Sequence, residues 1–444
     1  MKKVCIVILL NFIFVSLHAQ KQPNVVFILA DDLGVNDLSI YGSKFHETPN
    51  IDALAKKGMV FTQAYSANPL CSPTRASILT GLYPSRIGIT LPHCHMNKLV
   101  LDKQLAKSAP PNKKTLDAIS ITRFKTEYYT MSEAFKDNGY ATTHIGKWHL
   151  GPVPYSPLEH GFDLDIPHSP EPSPLAGGFF YPFPIYDSHG KPGDNLEDLM
   201  CDEAVKYIHE HKNEPFFLNY WAWEVHAPWQ AKENQIDKYR AKVDPAAPQQ
   251  NPVYAGMLET LDEVVGRLVK ALDDADILDN TVIVFVGDNG PYINSNAQHM
   301  PEEFHEVPVS SADPLRNGKG SIYEGGTRVP LIVIWPGKVQ PGSISNDLQQ
   351  STDFFPTFAD MLGWEMPHEL QFDGLSMKPI LEDGIAIRNE IFCHYPHNRP
   401  STSLRQGDWK LIKWYHYNPD QSHLYELYNL ADDMGETTNL FSSI

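Results

Sequence analysis

The chain has 444 residues, 42% of them hydrophobic and 20% charged, which is ordinary for a folded globular protein and ample for a large core. Its formal net charge of −18 repels nucleic acid and anionic membranes, and no basic run offsets it, so neither is expected as a partner. Five widely spaced cysteines make neither a disulfide framework nor a zinc pattern.

Residues 1–19 differ from all that follows. Lys2 and Lys3 precede an apolar run over 4–15, and Ala19 offers a small residue at a cleavage point. This pattern predicts a secretory signal peptide, too short for a membrane span, and a secreted or periplasmic mature protein. No later segment is long and apolar enough to cross a bilayer. Cys5 leaves with the signal, so Cys71, Cys94, Cys201 and Cys393 remain. If Cys71 is used chemically, at most one bridge is possible among the other three, and the sequence does not choose the pair.

Apolar strand-type runs follow at 24–30, 141–145, 215–221, 281–286 and 330–335. Helical patterns lie between them at 48–57, 130–137 with a Thr130/Glu133 capping box, 196–211 and 253–274. Strands buried on both sides, alternating with helices, predict an α/β fold: a large, mainly parallel or mixed sheet covered by helices on both faces. Residues 22–370 form this main domain. Residues 371–444 are read as a smaller C-terminal α+β subdomain on an antiparallel sheet, with a strand at 409–415. Two long irregular stretches interrupt the pattern, at 90–129 and 151–184, the second with nine prolines. Such loops are commonly functional or disordered, and both are expected at a pocket rim.

Residues 69–81 carry the strongest local signal. Ser72 can cap a helix, Pro73 suits its first turn, and the apolar pattern stops at Gly81. Cys71 then lies over free backbone N–H groups at the positive end of the helix dipole, beside the Arg75 guanidinium. That suits an anion, although a buried cysteine ahead of an ordinary helix fits the local pattern too.

Polar residues cluster just after the predicted strand ends: Asp31 and Asp32, Lys147 and His149, His226, and Asp288 with Asn289. In open α/β sheets that edge binds ligands. Singly, each has an ordinary reading as a turn or a packed histidine; the shared address is what those readings leave unexplained. Asp31, Asp32, Asp288 and Asn289 offer only oxygen donors, which suit a hard cation such as Ca²⁺ or Mg²⁺. Adjacent carboxylates repel unless a cation or several donors sit between them. With Arg75, Lys147 and Lys319 nearby, a divalent cation leaves the pocket positive, as an anionic substrate requires. Lys319 lies in a glycine-rich segment, and Gly318 and Gly320 let backbone approach a ligand closely. Neither a phosphate loop nor a Gly-x-Ser-x-Gly elbow is present.

The Asp31–Asp32 start, the Cys71 block, the Gly139–Tyr140 and Gly146–His149 pairs of motifs, the Asp288–Asn289 turn and the Lys319 region occur in one order and spacing. This set resembles the type I, formylglycine-dependent sulfatases of the alkaline phosphatase superfamily, and within them exported bacterial carbohydrate sulfatases of the arylsulfatase A-like group. The resemblance implies that a formylglycine-generating maturation enzyme converts Cys71 to 3-oxoalanine (formylglycine). It implies one Ca²⁺ per chain, held by Asp31, Asp32, Asp288, Asn289 and the modified Cys71. Arg75 would stabilise the aldehyde hydrate, and Lys147 and Lys319 would bind sulfate oxygens. His149 would take the proton in sulfate elimination, and His226, alone or with Lys319, would protonate the leaving oxygen. The implied reaction is hydrolysis of a carbohydrate sulfate ester. The 394–397 block and the 151–184 loop resemble those of relatives working on galactose- or N-acetylgalactosamine-type esters, and exo action at the 4-O position is expected here.

His394, His397 and Arg405 are the expected substrate contacts from the small subdomain, and Trp221, Trp223 and Trp229 offer either sugar-stacking faces or core packing. Relatives usually continue past the point where this sequence stops, at Ile444, so the C-terminus reads as short. Two other functions stay open at this level: phosphodiester or phosphonate monoester hydrolysis by a superfamily relative, and non-catalytic binding of sulfated glycans.

Overall fold

Strand β1 (Asn24–Ala30) is buried along its whole length because its alternate side chains enter two different cores. Val26, Ile28 and Ala30 point to one, and Val25, Phe27 and Leu29 to the other. A strand apolar on both faces needs cover on both. The computed structural model describes residues 22–441 except 112, 175–176, 187–189 and 297–299; the predicted signal peptide, with Cys5, lies outside the described residues.

The main sheet has nine strands. After β1 come β2 (Met59–Tyr65), β3 (Ala141–Gly146), β4 (Leu164–Ile166), β5 (Phe216–Trp221), β6 (Thr281–Gly287), β7 (Arg328–Ile334), β8 (Ser343–Ser345) and β9 (Gln349–Gln350). Their order across the sheet is β8-β2-β7-β6-β1-β5-β3-β4, with β9 also pairing β2. All pairings are parallel except those of β7, which runs antiparallel to both β2 and β6. That reversal brings the segment before β7, which holds Lys319, to the edge where the other strands end.

One face is covered by α1 (Pro49–Ala55), α4 (Leu196–His211) and α6 (Pro252–Asp274), through residues such as Leu54, Met200, Ile208, Leu261 and Leu268. The other is covered by α2 (Cys71–Thr80), α3 (Met131–Asp137) and α7 (Phe354–Leu362), through Ile78, Leu79, Phe135, Phe355 and Phe358. Between α4 and α6 lies α5 (Glu233–Arg240). Local sequence sets the helix starts. Thr130 and Glu133 close the capping box on α3, while Asn195 and Asn251 accept two backbone N–H bonds each at the starts of α4 and α6. Each such cap contributes about 1 kcal/mol.

A four-stranded antiparallel sheet follows: β10 (Glu390–Tyr395), β11 (Ser401–Gln406), β12 (Trp409–Trp414) and β13 (Leu424–Asn429). Its apolar face packs Cys393, Ile412, Trp414 and Tyr428 on Ile322 and Tyr323 of the segment after Lys319. Met377, Ile380 and Leu381 belong instead to the core of the main domain. The second tie between the sheets is ionic. Lys410 Nζ lies 2.9 Å from both Glu324 Oε1 and Glu436 Oε1, and Glu436 Oε2 accepts from the Glu324 N–H at 2.7 Å. All three side chains are buried. Replacing Lys410 with methionine leaves buried Glu436 without its cation and Glu324 with only the more distant Arg328 and Arg405. The expected cost is about 3–5 kcal/mol of unfolding free energy, read from the urea midpoint.

Arg405 belongs to this seam and not to a substrate pocket. It is buried, donates to the Tyr65 hydroxyl, to Gln63 Oε1 and to the Gly407 carbonyl, and stands beside Glu324. A guanidinium placed mid-strand against Glu324 is held by its countercharge, and that corrects the expectation for it. Cys71, Cys94, Cys201 and Cys393 are all free and buried, so the described residues contain no disulfide.

Candidate active site

The parallel strands end at one edge, and the charged residues lie there. Asp31 and Asp32 follow β1, Lys147 and His149 follow β3, His226 lies a few residues past β5, and Asp288 and Asn289 follow β6. The fifth contributor, α2, begins at Cys71 itself. Leu70 holds the cap position without a side-chain bond, so Ser72 is not the cap. Its hydroxyl donates to the His149 carbonyl at 2.7 Å, tying the start of α2 to the loop after β3. Asp32 and His149 both sit at positive φ, 56° and 55°, an uncommon conformation for residues with a Cβ.

Each cation in the cluster is paired with its own aspartate. Arg75 donates from Nε and Nη2 to Asp288 Oδ2 at 3.0 and 2.9 Å, and from Nη1 to the Lys147 carbonyl at 2.7 Å. Lys147 Nζ bonds Asp31 Oδ2, and Lys319 Nζ bonds Asp32 Oδ2 at 2.6 Å. The Arg75 guanidinium also lies 5.1 Å from the centre of the Trp221 ring. Asp288 Oδ1 accepts from the Asp32 N–H at 3.1 Å, and Asn289 Nδ2 donates to Asp32 Oδ1 at 2.8 Å. Lys319 is held there by close backbone packing. A Cβ on Gly290 would stand 1.9 Å from the Gly325 carbonyl oxygen, and one on Gly326 would stand 2.0 Å from that of Ser321. These glycines serve chain-to-chain approach within the loop.

The oxygen set fits a hard cation. Ligand atoms of Asp31, Asp32 and Cys71 all lie within 4.8 Å of one another. Asp31 Oδ1 and Asn289 Oδ1 are buried with no hydrogen-bond partner among the described residues. A buried oxygen left unbonded is costly, and two such oxygens, one on Asp31 and one on Asn289, with the carboxylates of Asp32 and Asp288 beside them, fit a Ca²⁺ ligand set. Burial opposes ionisation of Asp31, but Lys147, His226, Arg75 and Lys319 outweigh it and hold the carboxyl well below the usual range. Burial and the adjacent Asp31 push Asp288 up, to about 7. The two carboxyls compete for charge, and a bound cation would relieve that competition. Pairwise, aspartates and cations cancel, so a divalent ion leaves an excess of positive charge for an anionic ligand.

The two histidines differ. Burial, then Lys147, His95 and Arg75, hold His149 well below its ordinary value, so it is neutral. Its Nε2 lies 3.0 Å from His95 Nδ1 and 3.1 Å from the Pro92 carbonyl, and its buried Nδ1 has no partner among the described residues. A neutral imidazole with one bare buried nitrogen is suited to accept a proton. His226 Nε2 stands 3.7 Å from Asp32 Oδ2, and burial with Lys319 and Lys147 pushes it down to about 4. Burial likewise raises the Cys71 thiol above its ordinary value despite both lysines, so at neutral pH it is not a thiolate.

Of the expected substrate contacts, His397 Nε2 meets Thr90 Oγ1 at 2.7 Å and His394 Nδ1 meets Thr402 Oγ1 at 2.7 Å. His394 lines a shallow groove with Gly88, Thr90 and Lys103. Both histidines thus face the 90–129 loop. Trp221, Trp223 and Trp229 are 0%, 0% and 2% exposed and pack in the core, where they offer no face to a sugar. His95 is the site neighbour that the sequence reading passed over. The signal was the His93-Cys94-His95 run inside a loop otherwise read only as rim.

A family model described as sulfatase matches residues 23–364, and one described as N-sulphoglucosamine sulphohydrolase, C-terminal, matches residues 317–444. The N-acetylgalactosamine-6-sulfatase of Homo sapiens is 32% identical over 416 residues, covering 89% of this chain and 73% of its own. A sulfatase of Formosa agariphila is 31% identical over 499 residues, covering 96% and 85%. The solved structure of Ps i-CgsB in complex with k-i-k-neocarrahexaose is similar with a TM-score of 0.75 at 29% identity, over 95% of this chain and 89% of that one. A phosphonate monoester hydrolase of Agrobacterium radiobacter has a TM-score of 0.68 at 19% identity, over 95% and 92%, which shows a common fold alone.

Proposed function

The chain belongs to the sulfatase family and is a sulfuric ester hydrolase of carbohydrate sulfates, and from that premise we propose how it works and on which sugar. The reading is an exported, exo-acting enzyme that removes sulfate from a galactose- or N-acetylgalactosamine-type residue. The observation that carries the mechanism is the convergence of Cys71, three aspartates and three cations in one buried cluster at the sheet edge.

Matured Cys71 would supply, as the hydrate of its aldehyde, the nucleophilic oxygen for displacement at sulfur, and loss of sulfate would return the aldehyde. Asp31, Asp32, Asp288 and Asn289, with matured Cys71, would hold a Ca²⁺, which when bound lowers the pKa of the attacking hydroxyl. Arg75, fixed by Asp288 and the Lys147 carbonyl, would steady the hydrated aldehyde. Lys147 and Lys319 offer ammonium groups to the sulfate oxygens. His149 accepts the proton of the hydrate at its bare Nδ1. His226, with Lys319 beside it, delivers a proton to the sugar oxygen; a sugar alkoxide leaves poorly without one. The anionic ester drawing near raises the affinity of His226 for that proton.

Two features bear on the sugar. The 394–397 block and the 151–184 loop resemble those of relatives acting on galactose- or N-acetylgalactosamine-type esters, with O4 the expected position, whereas the human relative compared above is named for the 6-sulfate of N-acetylgalactosamine. A screen of matured protein on 4- and 6-sulfated galactose and N-acetylgalactosamine decides between them. One of the four esters is expected to be hydrolysed at least about tenfold faster by kcat/KM than the rest, since one misplaced contact typically costs that much. Sulfate release from none of the four, with activity on another sulfated sugar, would overturn the substrate assignment. Faster turnover of matched phosphate esters would favour the phosphodiester or phosphonate monoester alternative.

A further inference from the structure

A cavity of about 360 Å³ opens between the Lys319 segment and the small sheet. Its size falls within the range of small-ligand pockets, ~300–1,000 Å³. One wall is the segment from Arg316 to Tyr323, and the other comes from the β10–β11 turn and the strands beyond it. Lys319, the lysine proposed to meet the sulfate, belongs to that same segment. Gly320, which lines the cavity, donates its N–H to the Pro69 carbonyl at 2.9 Å, two residues before Cys71. That bond ties the wall of the cavity to the segment that leads into α2.

The lining is aromatic and cationic. Arg316 is fixed, with its guanidinium carbon 3.9 Å from the Tyr323 ring centre and Nη1 bonded to the Tyr428 hydroxyl and the Glu436 carbonyl. Glu426 is also committed, since its Oε2 accepts from the Tyr323 hydroxyl at 2.7 Å and from Trp414 Nε1 at 3.0 Å. Arg399 differs from both. It is exposed, lies 5.7 Å over the Tyr417 ring, and makes no ion pair among the described residues. Tyr417 is itself 47% exposed. Two arginines against one glutamate make this a positive pocket on a chain of net charge −18. A half-exposed tyrosine face suits a sugar ring, and a planar guanidinium suits a carboxylate or sulfate.

We propose that this cavity is a subsite for a second, anion-bearing sugar of the substrate chain, covalently next to the residue that presents its sulfate at Cys71, with Tyr417 stacking the ring and Arg399 binding the anion. The inference rests on the carbohydrate sulfatase reading and extends it to the substrate's neighbouring residue. Arg399 and Tyr417 act on affinity for the longer chain and stand apart from the reacting atoms.

The test measures sulfate release by matured parent, Arg399→Ala and Tyr417→Ala proteins. The probes are p-nitrophenyl sulfate, sulfated N-acetylgalactosamine, a chondroitin sulfate tetrasaccharide carrying the same ester, and that tetrasaccharide with its uronate carboxyls reduced to alcohols. Loss of one charge-assisted contact is expected to raise KM for the tetrasaccharide about tenfold, with kcat within about twofold. Kinetics on the two small probes stay at the parent's values. The reduced tetrasaccharide is bound by the parent about as weakly as the native one is by Arg399→Ala. Variants that treat the tetrasaccharide as the parent does, or that lose the small probes equally, overturn the subsite. So does a parent that accepts the small probes and not the tetrasaccharide. A parent inactive on every probe overturns the substrate reading on which the subsite rests.

Discussion

Cys71→Ala protein is expected to release sulfate at least ~10⁴-fold more slowly than matured parent, the scale on which removal of a covalent nucleophile acts. The physical ground is local. The Cys71 thiol is buried at the start of α2 and burial raises its pKa, so the unmodified side chain is a poor nucleophile at neutral pH. The reactive group in the proposal is the hydrated aldehyde made from it. Removing the sulfur leaves a small cavity worth about 1 kcal/mol, so the fold should survive, with little change in the urea midpoint. Cys71→Ala that hydrolyses sulfate esters at the parental rate would show that another group attacks sulfur.

The second large effect concerns the oxygen cluster. Chelation of divalent ions is expected to lower activity more than ~100-fold, and restoring Ca²⁺ should return it. At a free concentration of ~100 times the dissociation constant, the ion should add about 2.7 kcal/mol of stability, visible as a rise in melting temperature. Two substitutions separate ligand from scaffold. Asn289→Ala removes the unpartnered Oδ1 and a neutral donor to Asp32 but leaves the Arg75–Asp288 pair intact, so it should cost less stability than Asp288→Ala and need more Ca²⁺ for half-maximal activity. Asp288→Ala also strips Arg75 of its buried partner, so about 3–5 kcal/mol of stability should go with the activity. A parent whose melting temperature and turnover ignore both chelator and Ca²⁺ would remove the ion from the account.

Much of this architecture is legible in residue order. NVVFILA and TVIVFVG are apolar at every position but their ends, which only a strand covered on both faces tolerates, and both are central strands here. The asparagine, threonine and glutamate caps fix α3, α4 and α6 within a residue of where sequence puts them. Strand β2 was not legible, because Thr62 and Gln63 interrupt its pattern and only pairing with β7 organises it. The reversal of β7 is equally invisible locally, since a buried strand looks the same in either direction; it follows from pairing alone.

At the site, the oxygen donors and the cations could be read singly from their positions after strands. Their one-to-one pairing could not, because it depends on how far apart strand ends fall across the sheet. Arg405 was misread for the same reason. Its countercharge, Glu324, is remote in sequence, and nothing near Arg405 announces it. The tryptophans around β5 could be read either way, and the depth of the fold decided for packing. His95 became visible only when the 90–129 loop laid it against His149.

The most direct test of the central claim plots the rate of sulfate release against the fraction of Cys71 present as the aldehyde, measured by mass spectrometry of its peptide, across preparations matured to different extents. The account predicts a straight line through the origin. Sulfate release of parental magnitude from protein whose Cys71 is wholly unmodified would contradict it.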